Sequence, residues 1–557
     1  MRLAALEPAG GRLRGVELAP GLLLWLLLAV ATGWNRVEPL LDNDGYMHVV
    51  RLWDIVARGS WGGGWFSRDG APVGMVLHWT MPYDLVELAL AAPLAPWLGW
   101  HEAIRLTAPG GALATGLMLV AASAWAIAPA GRPIATTLAG LLAATPPVVL
   151  AYGSLGRDDH HLLILAAWVA VGGALWRLLR PGAGWRAGAL LGLLAGVGAW
   201  IATESAPPAL GAALAVAALV AIDAPRFRAS ALGFALALPT TMALALLLDP
   251  PLEALSLDRL SPLFLAAGLI AAAAVAIAAT TPRWTPLAMV VATAAIVLLA
   301  HQFGTTAIFS DPDVGRRFWA GIAEFLPPDN PQALLLALGA GLVGLGLALA
   351  AWATSRNPVW ALLVAALALL LAIGLRHARF GLYPSAFGAL LSAAALARLR
   401  PLPLRAGATA LAAVAPLVLA ALAPGAPQAA NGPPRCAVAE AAAAIEQDRP
   451  GAIVLADVNL SARLLYAGPT LRTVAGPYHG NADGLVDLAH AAAAIDEAAL
   501  GAILRRRQAD FLLLCPEAGA DDGPLRRRLL AGEAPSWLKR VALTDPAAAD
   551  LKLYRVR

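Results

Sequence analysis

Long apolar stretches, each able to cross a bilayer as one helix, recur along most of this chain and limit what it can fold into. A helix needs about 20 mainly apolar residues to cross ~30 Å of hydrocarbon. Only helices and closed barrels satisfy their backbone polar groups in lipid, so the pattern predicts a polytopic α-helical membrane protein. About 13 stretches qualify, at residues 17–34, 103–128, 133–152, 161–178, 187–203, 205–222, 229–248, 260–280, 285–302, 332–353, 358–375, 380–397 and 406–423.

The amino-acid composition excludes an ordinary soluble protein. Hydrophobic residues make up 59% of the 557 residues and charged residues only 14%, and the mean hydropathy is +0.69. The formal net charge of +4 comes with arginines scattered between the apolar stretches. That distribution is typical of membrane topology and does not indicate a nucleic-acid partner.

The arginines also predict which side each loop faces. If the first span starts inside, arginine-bearing loops alternate with arginine-poor ones, as the positive-inside rule requires. The outer side then receives residues 38–82, 157–161 and 302–330, and everything after about residue 424. Residues 83–97 are apolar but short and interrupted by two prolines. We interpret them as an interfacial or re-entrant helix, which keeps the alternation.

The chain divides into a transmembrane catalytic domain, residues 1–424, and a small soluble α/β domain, residues 425–557. The second part is less apolar and begins with a linker rich in Pro, Gly and Asn. Its β-like runs at 452–456 and 511–515 alternate with helix-like runs at 438–447 and 525–530. Alternation of this kind predicts an α/β fold.

Both cysteines of the chain, Cys436 and Cys515, lie in this second part. Two thiols are too few for a thiolate metal cluster. In an oxidising compartment they could form one disulfide or remain free, and their spacing does not decide between these states.

The pentapeptide Arg157-Asp158-Asp159-His160-His161 lies between two apolar stretches. Five consecutive ionisable residues are costly close to hydrocarbon, so a functional site is the first hypothesis. Its carboxylates and imidazoles suit a divalent cation. The alternative is an ordinary solvated loop.

The first outer loop contains a second group of polar residues. Asp42 and Asp44 follow the first span, and His48 lies one helical turn further on. Two carboxylates one residue apart can ligate a hard cation, or one can act as a base, although helix capping is the alternative. His78, next to Trp79 and framed by prolines, presents an imidazole that is either a ligand or merely packed.

Arginines and acids at three other outer positions complete the candidates. Arg376 and Arg379 lie at a short outer loop against the positive-inside rule, which suits them to a lipid phosphate at the outer leaflet. Snorkelling to lipid headgroups is the alternative. Glu204, at another outer helix end, could pair with one of these arginines. Glu324 is the acid most suited to a site within the long loop 302–330.

The order of these motifs resembles the catalytic subunit of oligosaccharyltransferase, in the GT-C class of membrane glycosyltransferases. Residues 42–48 are similar to its first acidic motif, and residues 72–82 to its Pro-x-Gly…His-Trp…Pro stretch. Asp159-His160-His161 matches the Asp-His-His form of its second acidic motif. Glu324 and the arginine pair fall where the family has an outer-loop glutamate and a donor-phosphate arginine.

The resemblance implies a polyprenyl (pyro)phosphate-linked sugar donor and a divalent metal, Mn²⁺ or Mg²⁺. As catalytic residues it implies Asp44, Asp159 and Glu324. As metal ligands it implies Asp44, Asp159 and His161 with His78 close by, and for the donor phosphate Arg379 and Arg376. Asp42, His48, Asp158, His160 and Glu204 are further candidates.

The resemblance is incomplete at the acceptor side. The family's Trp-Trp-Asp acceptor motif is absent from residues 425–557. The acceptor is therefore left open as a glycan, a lipid or a protein, with protein N-glycosylation as one alternative and a secondary transporter or lipid flippase as another. Residues 475–481 either touch the acceptor or form only a turn, and a turn is favoured. We expect a bacterial inner-membrane protein whose site faces the periplasm.

Overall fold

The computed structural model describes residues 12–33, 39–252, 255–304, 309–322, 326–423, 436–516 and 523–557. In chain order, helices α1–α9 are Gly15–Gly33, Asn43–Arg58, Met81–Ala91, Ala95–Thr107, Gly111–Ile127, Pro133–Ala143, Pro147–Gly153, His161–Leu178 and Trp185–Ile201. Helices α10–α18 are Ala206–Ile222, Ala224–Leu248, Pro262–Thr280, Thr285–Gly304, Pro312–Gly321, Pro331–Ser355, Pro358–Arg376, Leu382–Leu396 and Leu402–Leu422. Helices α19–α23 are Ala439–Asp448, Ser461–Ala467, Ala482–Ala492, Glu497–Arg506 and Pro524–Leu530. Strands β1–β7 are Trp65–Phe66, Met75–Val76, Ile453–Ala456, Arg472–Thr473, Phe511–Leu514, Leu538–Val541 and Lys552–Val556.

Ten helices within these described ranges are long and apolar enough to cross a membrane. They are α1, α4 continuous with α5, α8, α10 to α13, α15, α16 and α18. The chain is therefore a multi-pass membrane protein, as its apolar stretches predicted. Ten of the about 13 predicted spans meet this length and composition as single helices among the described residues, and the other three stretches form bent or short helices.

The three exceptions have local causes. α6 and α7 meet at a 64° bend, where Pro146 and Pro147 interrupt backbone hydrogen bonding. α9 has 17 residues and α17 has 15, and a 3₁₀ turn at Ala378–Gly381 precedes α17. With the bent pair taken as one span, the described residues contain up to eleven. α3 has 11 residues and is too short to span, in keeping with an interfacial or re-entrant segment.

Helices α9 and α11 approach each other closely along small residues. A Cβ added to Gly188 would lie 1.7 Å from the Ser230 carbonyl oxygen. The Ser230 hydroxyl donates to the carbonyls of Ala183 and Gly184, with Oγ···O distances of 3.3 and 3.1 Å. In lipid, helices associate through such close packing, because hydrocarbon offers no hydrophobic driving force between them.

We expect Gly188→Ala to lower the free energy of unfolding by about 1–3 kcal/mol, because the added methyl group overpacks this contact. Gly211 in α10 is the matched control, since a Cβ there meets nothing within 4 Å. Gly211→Ala should leave the stability unchanged or raise it slightly, through better helix propensity. Thermal unfolding of both variants in one detergent measures the difference, and equal midpoints would contradict this packing.

The C-terminal part contains a five-stranded sheet with the order β4-β3-β5-β7-β6. β3 pairs in parallel with β4 and β5, and β7 pairs antiparallel with β5 and β6. The predicted β-like and helix-like runs are confirmed as β3, β5, α19 and α23. Cys436 and Cys515 form a disulfide with a Cα–Cα distance of 6.1 Å. The predicted boundary between the two domains, at residues 424 and 425, lies outside the described residues and stays a prediction.

The segment between α1 and α3, which we call the first outer loop after its predicted side of the membrane, is attached to the free edge of this sheet at β4. Thr473 N donates to the Arg68 carbonyl at 2.7 Å, and Ala71 N donates to the Thr473 carbonyl at 2.9 Å. Asp69 and Thr473 form a parallel β-bridge. The loop therefore lies against the C-terminal part, which brings residues from both halves of the chain together.

Candidate active site

Asp159 and the two histidines that follow it converge at the N-terminal end of α8. Each side chain offers one ligand atom, and these atoms lie within 4.8 Å of one another. We call these three residues (Asp159, His160 and His161) the Asp-His-His group. His161 Nδ1 hydrogen-bonds Asp159 Oδ1, and His160 Nδ1 lies 3.2 Å from the same oxygen.

The Asp-His-His group fits a divalent cation. His161 Nε2 is buried and makes no hydrogen bond with any described residue, and a buried polar atom without a partner is rare. Metal-ligating imidazoles commonly bond a carboxylate through their other ring nitrogen, as His161 does with Asp159. Burial alone would raise the pKa of the Asp159 carboxyl, but His161 and His160 outweigh it and hold that pKa well below its usual range. Asp159 is therefore ionised at neutral pH.

Arg157 connects this group with the first outer loop. Its Nε lies 3.3 Å from Asp42 Oδ2 and 3.6 Å from Asp159 Oδ2. Its guanidinium lies over the Tyr152 ring, 4.1 Å from the centroid. Asp42 also caps α2 by accepting a hydrogen bond from Gly45 N at 2.9 Å. Carboxylates from two separate segments thus favour a positive charge at this position.

Asp158 takes no part in the Asp-His-His group, because its side chain faces α3. The Tyr83 hydroxyl donates to Asp158 Oδ1 at 2.5 Å. Burial raises the pKa of Asp158 to about 7. Burial, and then the nearby Asp158, raise the pKa of Glu87 well above its usual range. This carboxyl pair therefore retains a proton near neutral pH and acts as a buried hydrogen-bonded contact.

Asp44 lies in the first turn of α2 and faces the C-terminal part. Burial and the Asp44 carboxylate raise the pKa of the Tyr478 hydroxyl well above its usual range. The same hydroxyl donates to the Asn43 carbonyl at 3.0 Å. Asp44 and His78 lie outside the set of ligand atoms within 4.8 Å. Their assignment as metal ligands stays a prediction.

Two further imidazoles lie beside the group. His48 stacks on Trp79 with centroids 3.9 Å apart, and its ring lies 5.9 Å from that of His160. His78 lies 4.6 Å from His479, between ring centroids. Burial lowers the pKa of His48, and burial followed by the charge of His479 lowers the pKa of His78, both well below the usual value. Both rings are therefore neutral at pH 7, the form that can ligate a cation.

The structure separates the two candidate arginines. Arg379 forms an ion pair with Glu204, and Tyr383 donates to the second Glu204 oxygen at 3.0 Å. The Arg379 side chain is only 16% exposed, and its positive charge contributes to the lowered pKa of His78. Arg376, the last residue of α16, is exposed. Arg379 therefore lies on the same side as the Asp-His-His group, held by the Glu204 carboxylate.

A buried carboxylate, Asp69, fixes the C-terminal segment that reaches this site. It accepts hydrogen bonds from Thr473 Oγ1 and Gly476 N, each at 2.9 Å. Burial raises its pKa to about 6. Two and three residues after Gly476 come Tyr478 and His479, which contact Asn43 and His78 as described above. Residues 475–481, for which a turn is favoured over an acceptor contact, bring Tyr478 and His479 next to the candidate site.

Sequence reasoning missed several residues of the candidate site. One residue that it did predict lies outside the described residues. Glu324 lies outside the described residues, so its predicted role stays a prediction. Tyr478 and His479 carried one weak signal, a cluster of polar residues in a loop. Asp258, which lies 3.1 Å from His479 Nε2, carried none.

Comparison with known proteins gives a fold. No protein-family model matches the sequence, and a search of curated proteins finds no match. Among solved structures, the oligosaccharyltransferase of Archaeoglobus fulgidus in its apo form is similar over 90% of this chain and 69% of its own, with 15% identity and a TM-score of 0.67. The archaeal oligosaccharyltransferase AglB from the same organism, with an inhibitory peptide and a dolichol-phosphate, gives 13% identity, coverage of 89% and 69%, and a TM-score of 0.67.

A third structure of the Archaeoglobus fulgidus enzyme contains Zn and sulfate. It has 15% identity, a TM-score of 0.64 and coverage of 89% of this chain and 67% of its own. At such low identity the likeness establishes the fold alone. It confirms that this chain has the GT-C fold of the oligosaccharyltransferase catalytic subunit, as its motifs predicted.

Proposed function

We propose that this protein is a membrane glycosyltransferase that moves a sugar or oligosaccharide from a polyprenyl (pyro)phosphate to an acceptor. The transfer is assisted by Mn²⁺ or Mg²⁺ and takes place at the periplasmic face of a bacterial inner membrane. The observation that carries the proposal is the buried Asp-His-His group with Arg379 on the same side, in a GT-C fold. The dolichol-phosphate in a structure of the same fold supports a lipid-linked donor.

In this proposal, different residues bind the donor and activate the acceptor. The Asp-His-His group would hold the cation, which when bound neutralises charge on the leaving phosphate. Arg379 would bind the donor phosphate, since a guanidinium has five N–H donors, more than one carboxylate such as Glu204 can accept. Asp44, at the start of α2, would accept the proton of the attacking acceptor group.

The outer location rests on two independent features. The arginine pattern supports an outer location for this end of the helices. The Cys436–Cys515 disulfide lies in the same half as Tyr478 and His479, and disulfides persist in oxidising compartments such as the periplasm.

Removal of the cation should abolish transfer reversibly. Purified protein is incubated with a polyprenyl-phosphate sugar and separate saccharide, lipid and peptide acceptors. We expect EDTA to stop release of polyprenyl phosphate and Mn²⁺ to restore it, because the leaving phosphate then regains its charge neutralisation. Transfer that continues in EDTA would contradict the metal role. If the protein left the donor uncleaved and carried ions across the membrane of proteoliposomes, a transporter would be favoured instead.

We expect Tyr478→Phe to lower kcat by about three- to tenfold, because one hydrogen bond of ~1 kcal/mol that holds the start of α2 is lost. Tyr466→Phe is the matched control: this half-buried tyrosine packs on Tyr46, 5.1 Å between ring centroids, in the same region. It should change kcat by less than twofold. Initial rates at saturating donor measure both, and equal rates for the two variants would show that the Tyr478 hydroxyl has no positioning role.

A further inference from the structure

A row of rings leads away from the Asp-His-His group toward the surface. Trp79 lies 6.3 Å from His160 and 5.8 Å from His78, between ring centroids. His78 lies 4.6 Å from His479, and His479 lies 5.7 Å from Trp319. The row therefore ends on an indole, about two ring contacts beyond His78.

Trp319 is held in place on one side and open on the other. It lies in α14, whose neighbour Phe309 is buried in the hydrophobic core of the C-terminal part. The Trp319 ring lies 6.4 Å from Phe309 and 5.1 Å from Phe318, between centroids. Its side chain is nevertheless 38% exposed. A large apolar ring is thus anchored by other aromatic rings while part of it remains in contact with solvent.

Polar groups lie beside this indole. His479 Nε2 is 3.1 Å from Asp258 Oδ2, and the Asp258 side chain is 44% exposed. An indole, an imidazole and a carboxylate thus share one position next to the site. A sugar ring has an apolar face of C–H groups and an edge of hydroxyl groups. The negative face of an aromatic ring attracts polarised C–H groups, and carboxylates and imidazoles accept hydrogen bonds from hydroxyls.

We propose that Trp319, His479 and Asp258 form a saccharide-binding subsite for the acceptor. The inference rests on the proposed function and specifies the chemical class of its acceptor, a sugar hydroxyl. His479 immediately follows Tyr478, whose hydroxyl faces Asp44 and the Asn43 carbonyl. Residues 478 and 479 thus link the Trp319 subsite, through His479, with Asp44, the carboxylate proposed to accept the proton, through Tyr478.

The step balances without any further reactant. The acceptor oxygen forms a bond to the anomeric carbon of the donor sugar, and the bond from that carbon to the phosphate oxygen breaks with its electron pair. The acceptor proton goes to Asp44 and then to solvent, and the polyprenyl (pyro)phosphate leaves as an anion. The Trp319 subsite itself takes part only by binding and orienting the acceptor.

A binding experiment tests the subsite independently of catalysis. Saturation-transfer NMR is recorded on the full-length protein in detergent, without donor, using a panel of methyl glycosides of common hexoses and, separately, an Asn-x-Thr peptide. We expect saturation transfer to at least one methyl glycoside, with binding weakened at least tenfold in Trp319→Ala and clearly reduced in His479→Gln. Trp100→Ala is the matched control, since Trp100 is 39% exposed and lies in α4.

The outcomes separate this inference from the proposed function. Loss of glycoside binding in Trp319→Ala but not in Trp100→Ala supports the subsite. Three results overturn it: no glycoside binding, equal binding by the two tryptophan variants, or peptide binding that depends on Trp319. The last two would leave Trp319 as an interfacial anchor or a peptide contact. Metal-dependent release of polyprenyl phosphate, measured separately, decides whether the proposed function itself holds.

Discussion

Asp159→Ala should lower the rate of glycosyl transfer by at least about a thousandfold, the upper range for loss of one preorganised electrostatic contact. Asp159 contacts both histidines of the Asp-His-His group and lies 3.6 Å from Arg157. Without it the Asp-His-His group loses its carboxylate and the hydrogen-bond partner of the His161 ring. Initial rates of polyprenyl-phosphate release measure the effect.

The same variant has a second readout that does not depend on activity. Mn²⁺ binding, followed by electron paramagnetic resonance, should weaken at least tenfold in Asp159→Ala, in line with the usual effect of losing a ligand or its carboxylate partner. Asp448→Ala is the control, because this exposed aspartate pairs only with the surface Arg555, at 2.9 Å, among contacts in the described residues. Unchanged Mn²⁺ affinity in Asp159→Ala would contradict the metal assignment even if activity fell.

Arg379→Ala should lower kcat/KM for the lipid-linked donor by about a hundredfold, because charge-assisted bonds to a phosphate contribute roughly 1.5–3 kcal/mol each. Arg376→Ala should change it by less than about threefold, since exposed charges contribute little. The two residues lie three positions apart and differ mainly in burial, so each controls for the other. Steady-state kinetics at varied donor concentration measure both variants.

A lysine substitution at Arg379 tests whether this residue acts through its hydrogen-bonding geometry or only through its charge. Arg379→Lys should recover only part of the activity, because an ammonium group does not bind a phosphate through two parallel N–H bonds. Full recovery by lysine would indicate a simple charge effect. Equal losses in the Arg376 and Arg379 variants would contradict the separation of the two arginines.

The sequence predicts best those structural features that depend on a single segment of the chain. The apolar stretches predict every candidate span as a helix, because spanning length is a property of one segment. Three of the predicted spans are bent or short helices, since the chain bends at Pro146 and Pro147 and helices α9 and α17 have only 17 and 15 residues. The disulfide depends on the distance between two segments in the folded protein. The number of residues between Cys436 and Cys515 does not give that distance.

The candidate site follows the same rule. Asp159 and His161 were singled out because Asp159-His160-His161 resembles a motif of the family, and the structure brings their ligand atoms together with that of His160. Asp158 could not be assigned, since consecutive side chains can face opposite sides and here Asp158 faces Tyr83. His479 and Asp258 come from segments more than 200 positions apart, and only the fold brings them together.

The attachment of the first outer loop to β4 also determines how late in synthesis this loop can complete its contacts. Arg68 donates to the carbonyls of Leu465 and Gly468, each at 2.6 Å, across 397 and 400 positions of the chain. At about 5–20 residues per second, the ribosome needs roughly 20–80 s to supply those partners after the loop has been made. The loop therefore remains without its sheet partners until most of the helices have been synthesised. A nascent chain cannot bring Tyr478 and His479 to the candidate site before that time, so the proposed enzyme becomes active only after the last quarter of the chain has been made.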